Sequence, residues 1–127
     1  MRLELVCVLL CSLPSVTFAK ESSQCPDGFL QHRNACYWFS NINGSFAEAR
    51  SYCEFFRSHL AQITTKDEND FITAEANKTG RDHYRLGATD LMVRGTFLWE
   101  GGVALNYTNW DDGEPNNKEG QENCLEI

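Results

Sequence analysis

The sequence predicts an α+β domain in which two helices flank small antiparallel sheets and a long acidic loop follows them. Three observations carry that expectation. Two Ser/Thr-x-x-Glu capping boxes, Ser45 with Glu48 and Thr65 with Glu68, each open a stretch that reads as helix. Aromatic-rich runs beside turn residues, before and after that pair, read as strands. From Trp110 to Cys124 regular patterning gives way to Asp, Asn, Glu, Gly and Pro, the composition of a loop.

The chain opens on Met1–Ala19, with a positive charge at Arg2, the apolar run from Leu5 to Cys11, Pro14, and small residues at Thr17 and Ala19. This pattern reads as a secretory signal peptide, leaving one domain over residues 20–127. A membrane-spanning helix needs about 20 mostly apolar residues, and no segment reaches that length. Loss of the leader removes Arg2 and Glu4 together, so the net charge stays at −7. An acidic chain without basic patches excludes a nucleic-acid partner.

Gln24 to Phe39 holds a Pro26-Asp27-Gly28 turn and two apolar clusters, each beside a cysteine, and reads as a hairpin stapled by Cys25 and Cys36. So short a closed loop contributes something under about 3 kcal/mol in the chain-entropy picture. The first helix starts at Phe46, with Phe46, Ala49, Cys53 and Phe56 as its inward stripe. A short strand follows at His59–Ile63, then a second helix from Lys66 to about Asn77. Arg85–Ala88 and Thr96–Trp99 are the next strands, the latter turned by Glu100-Gly101-Gly102.

Once Cys7 and Cys11 leave with the leader, Cys25, Cys36, Cys53 and Cys124 remain to be oxidised in the secretory pathway. Four cysteines permit three pairings, and spacing alone does not choose among them. No Cys-x-x-Cys or paired-His spacing suits zinc, and His32, His59 and His83 are isolated. Asn43, Asn77 and Asn106 each begin an Asn-x-Ser/Thr glycan acceptor in an expected turn or helix end.

The chemistry concentrates in Trp110–Cys124. Between Asp111 and Glu122 five carboxylates face one lysine, a density that calls for a neutralising cation. Glu114, Asn116 and Glu122 offer carboxylate and amide oxygens, the donors that Ca²⁺ takes in sets of six to eight. The register of an EF-hand is absent. Glu114-Pro115-Asn116 followed by Glu122-Asn123-Cys124, after Thr108-Asn109-Trp110, resembles the long loop of C-type lectin domains in its mannose-type version. Tyr37-Trp38-Phe39 is similar to that family's first long strand, and Arg85-Leu86-Gly87-Ala88 to its Trp-Ile-Gly-Leu core strand in altered form.

The resemblance implies a secreted protein binding mannose-type sugars on cell or microbial surfaces, its Ca²⁺ held by Glu114, Asn116 and Glu122. In such a site the same side chains ligate the metal and hydrogen-bond the sugar, and weak single sites gain avidity through oligomerisation. An auxiliary second Ca²⁺ is not expected, because Arg94 and Asn117 stand where the family places carboxylates and only Asp90 matches. The family also continues past this point through a Trp-Asn-Asp strand and two further cysteines, so the expectation is a domain short of its last strands and of two ligands. Cys53 and Cys124 then lack their family partners, and a Cys53–Cys124 bridge is the substitute to look for. The competing readings are a lectin-like module contacting a protein or mineral surface without sugar, or an inactive truncated product. Hydrolase chemistry is not expected, since neither Gly-x-Ser-x-Gly nor His-Glu-x-x-His occurs.

Overall fold

The computed structural model describes the backbone of residues 7–13 and all of residues 25–127. The strands are β1 (Cys7–Leu13), β2 (Leu30–His32), β3 (Ala35–Gly44), β4 (His59–Leu60), β5 (Tyr84–Val93), β6 (Thr96–Trp99), β7 (Val103–Ala104) and β8 (Cys124–Glu126). Two helices, α1 (Phe46–Phe55) and α2 (Lys66–Thr79), lie between β3 and β5 in the chain. The sheet runs β2-β3-β1-β5-β6-β7, with β4 paired to β1 and β8 paired to β5. All pairings are antiparallel except β1 with β5.

The N-terminal hairpin forms as its turn residues require. The amide of Phe29 bonds Pro26 O at 3.0 Å across a turn whose third residue, Gly28, has φ +87°. Cys25 and Cys36 are bridged, with Cα atoms 5.6 Å apart, tying the chain before β2 to the start of β3. His32 stacks on Phe71 of α2 at 4.2 Å, and both His32 and Arg33 bond Asp67 Oδ2, so the hairpin also leans on the second helix.

Helix α1 carries its full capping box. Ser45 Oγ accepts from the Glu48 amide at 3.3 Å, and Glu48 Oε2 accepts from the Ser45 amide at 2.7 Å. Ala49 and Cys53 are fully buried, but Phe56, expected on the same stripe, caps the helix and is 41% exposed. The helical period stops there because the next residue, Arg57, turns left-handed at φ 54°. In α2 the Thr65 hydroxyl accepts from the Glu68 amide, yet the Glu68 carboxylate accepts from the Thr64 amide at 2.8 Å instead of closing the box on Thr65. Its other oxygen accepts from the Tyr37 hydroxyl, which ties α2 to β3. The helix runs to Thr79, two residues past the expected end, and stops at Gly80 in the αL conformation.

The main core gathers Tyr37, Ala61, Ile63, Ile72, Ala76, Tyr84, Leu86, Ala88 and Trp99 between α2 and the sheet. A second cluster packs Ala49, Cys53 and Leu60 under Phe29, Trp38, Phe46 and Tyr52. Gly87 sits where these layers meet: a Cβ there would lie 3.0 Å from Leu60 O, so β4 approaches β5 only because that position has no side chain.

The expected leader mostly falls outside the described residues, as does its cleavage point. Within it, Cys7–Leu13 is the strand between β3 and β5, in the middle of the sheet. An apolar run of this length suits a central strand as well as a leader, and pattern alone does not separate them. Cys53 is disulfide-bonded and Cys124 is a free thiol, so the substitute Cys53–Cys124 bridge is not formed. Among the described residues no helix is long and apolar enough to cross a membrane.

Candidate functional site in the long loop

The loop leaves the sheet after β7 and returns at β8, whose register with β5 pairs Thr89 with Cys124 and Arg85 with Glu126. Backbone bonds of 2.8 and 2.9 Å between Tyr84 and Ile127 close that return. The Arg85–Glu126 ion pair, at 3.4 Å with both side chains at most 5% exposed, locks it further. On the other side, Trp110 packs edge-on against Phe97 at 5.4 Å. A loop rich in polar residues is therefore held at both ends by apolar packing and by the sheet.

The next residues form a turn, with the Glu114 amide bonded to Asp111 O at 3.0 Å and Gly113 at φ +87°. The Glu114–Pro115 bond is cis. Across it, Asn116 Nδ2 donates to Glu114 Oε1 at 2.7 Å, and the Asn116 amide donates to Oε2 at 3.2 Å. A carboxylate and an amide thus meet across the proline, with the Asn116 side-chain nitrogen facing the carboxylate. Glu114 also borders a cavity of about 310 Å³ walled by Trp99, Leu105, Tyr107 and Trp110.

Glu122 is 5% exposed. Its Oε2 accepts from the Lys118 amide at 2.8 Å, and its own amide donates to Asn117 Oδ1 at 3.3 Å. The carboxylate is held by the turn immediately after Asn116, where Asn117 and Glu119 both take left-handed φ values. The structure therefore joins Glu114 directly to Asn116 and attaches Glu122 to the neighbouring turn. Among the described residues no three His, Cys, Asp or Glu side chains form a metal-sized group. All the donors on this loop are oxygens, a set that fits a hard cation such as Ca²⁺ and does not fit zinc.

Two contacts escaped the sequence. Asn117 was legible only as a missing carboxylate, yet it positions Glu122. Arg94 was legible only as a misplaced charge, yet its Nη1 donates to Asn123 Oδ1 and lies 3.7 Å from Asp90 Oδ1. The signal available was the i,i+4 spacing of Asp90 and Arg94; Asn123 is far along the chain. Cys124, just beyond, has its thiol pKa pushed up, foremost by burial, which keeps it protonated. Asn43, Asn77 and Asn106 are all exposed.

With the fold and loop described, comparison with known proteins identifies the class. The sequence profile of the Lectin C-type domain matches residues 42–127. The chain is 53% identical over 104 residues to Perlucin of Haliotis laevigata, covering 81% of this chain and 67% of that protein. It spans 30% to 35% of six further curated relatives, the human and mouse low affinity immunoglobulin epsilon Fc receptors among them. Among solved structures, the human scavenger receptor C-type lectin carbohydrate-recognition domain superposes with a TM-score of 0.76 at 30% identity, over 82% of each chain. The cow CD23 C-type carbohydrate-recognition domain, solved in the presence of GlcNAc2Man3 oligosaccharide, gives 0.74 at 33% identity over 81% of this chain and 78% of that one. The chain belongs to the C-type lectin domain family, and the expected α+β fold is the one observed.

Proposed function

We propose that this protein is a secreted Ca²⁺-dependent lectin for mannose-type sugars on cell or microbial surfaces. The carrying observation is the Glu114–Asn116 pair, whose side chains meet across Pro115 at 2.7 Å. Glu114, Asn116 and Glu122 would hold the cation. When bound, Ca²⁺ supplies a hard centre to which two vicinal sugar hydroxyls bind. Beside it Glu114 can only accept a hydrogen bond, whereas the Asn116 amide donates through Nδ2 while its carbonyl remains a ligand. That ordered acceptor and donor select the equatorial 3- and 4-hydroxyls of mannose, glucose and N-acetylglucosamine. The oligosaccharide supplied to the cow CD23 domain belongs to this sugar class.

So small and polar a contact gives single-site affinity on the order of millimolar, and oligomerisation or clustering would supply avidity. Arg94 places a positive charge where an auxiliary Ca²⁺ would need carboxylates, so one cation site is expected. The leader over Met1–Ala19 directs export, and Asn43, Asn77 and Asn106 carry glycans; a mobility shift on glycosidase treatment of the secreted protein tests the last point. Mannan affinity chromatography tests the whole reading. Retention in Ca²⁺ with release by chelator or free mannose supports it, and passage through the column in Ca²⁺ overturns it in favour of a surface-contact module without sugar.

A further inference from the structure

We propose that Arg94 is a positioning residue: its guanidinium acts as a fixed internal cation that clamps the returning end of the long loop, Glu122–Cys124, onto the β5–β6 hairpin without a bound metal. The starting point is Asp90, 1% exposed at the end of the sheet. One carboxylate oxygen accepts from the Gly95 amide at 2.9 Å; the other, Oδ1, is buried and makes no hydrogen bond. A buried carboxylate left half satisfied is costly, so a positive charge nearby is required. Arg94 Nη1 supplies it at 3.7 Å and donates to Asn123 Oδ1 as well. The Asp90 amide bonds Asn123 O at 3.2 Å, so backbone and side chain of Asn123 are held by the same hairpin.

The guanidinium suits this place because its donors lie in a rigid planar fork, able to face a carboxylate and an amide oxygen together. The Arg94 side chain is 62% exposed, so its contact with Asn123 is a near-surface one that contributes little to global stability. Its effect is local. By fixing Asn123 it fixes the direction of Glu122 one residue earlier, and preorganised ligands bind a cation more tightly than mobile ones. The consequence for cation binding rests on the reading of Glu122 as a ligand; the clamp itself does not.

Hydrogen exchange in chelator is the test. Arg94→Ala should speed exchange at residues 122–124 by about tenfold relative to wild type while α1 amides keep their protection. Arg94→Lys should restore part of it. Because Arg94→Ala strands the Asp90 charge, the double variant Asp90→Asn/Arg94→Ala removes that complication and should show the same loop-restricted acceleration. Wild-type exchange at 122–124 in the double variant, or an equal acceleration throughout α1, overturns the proposal. A parallel titration with Tb³⁺ should show weaker binding by the double variant. If wild-type protein binds no Tb³⁺, the lectin reading fails while the exchange data still decide the clamp.

Discussion

Replacing Glu126 by alanine should be among the most damaging single changes in the loop's support. The Arg85 and Glu126 side chains are 4% and 5% exposed and meet at 3.4 Å across the β5–β8 ladder. Glu126→Ala leaves the Arg85 guanidinium buried without that carboxylate, and removing one partner of a buried pair costs about 3–5 kcal/mol. Against a total stability of roughly 5–15 kcal/mol this is a large share. At about 4 °C per kcal/mol for a domain of this size, the melting temperature should fall by roughly 12–20 °C. Urea unfolding followed by tryptophan fluorescence measures it, with an unchanged m-value showing that the two-state comparison holds. The paired change Arg85→Met/Glu126→Leu, which removes both charges, should cost under about 2 kcal/mol or stabilise. A loss below about 1 kcal/mol in Glu126→Ala, or a double variant as weak as the single one, refutes the reasoning that removal of the carboxylate from this buried pair dominates here.

Three further outcomes are expected. Glu114→Gln with Asn116→Asp exchanges acceptor and donor about Pro115, so preference on a glycan array should move from mannose toward galactose; unchanged preference counts against the ligand roles assigned here. Arg33 and His32 hold the Asp67 carboxyl well below the usual carboxylate range. A depressed carboxylate stabilises fully above about pH 4 and loses that contribution as pH falls through its folded value. The difference in melting temperature between wild type and Asp67→Asn should therefore shrink in acid, and a constant gap from pH 7 down to pH 2 would show that the pairing is not its source. Finally, mass spectrometry of exported protein should find Lys20 at the N-terminus. Such a chain lacks β1 and its pairing with β3, β4 and β5, so it should unfold at lower urea than the full chain; equal midpoints would mean that β1 contributes nothing to stability.

Both helix starts were legible because an N-cap is a local event: Ser45 and Glu48, or Thr65 and Glu68, need only each other and the intervening backbone. The burial of Cys53 was equally legible from helical period. Phe56 departs from that period because it lies one residue beyond the helix, just before Arg57 turns left-handed. The acidic loop stood out as a candidate site through composition and the Glu-Pro-Asn and Glu-Asn-Cys spacing, but its hydrogen bonds did not. A side chain's partner twenty or more residues away leaves no trace in local pattern, and so Arg94 with Asn123, and Tyr37 with Glu68, had to be seen in three dimensions.

By itself, then, the sequence determined the α+β class, the two helices, the turn of the first hairpin and the place of the oxygen-rich loop, all of which rest on interactions between residues close in the chain. Tertiary structure alone decided that Cys7–Leu13 lies between β3 and β5, that Arg85 is buried because Glu126 returns beside it, and that Asp90, Arg94 and Asn123 meet. An apolar run does not say which sheet position it occupies, and a charged residue does not say which distant charge will compensate its burial. Those choices are made by the packing of the whole domain, where an unsatisfied buried charge costs more than any local preference returns.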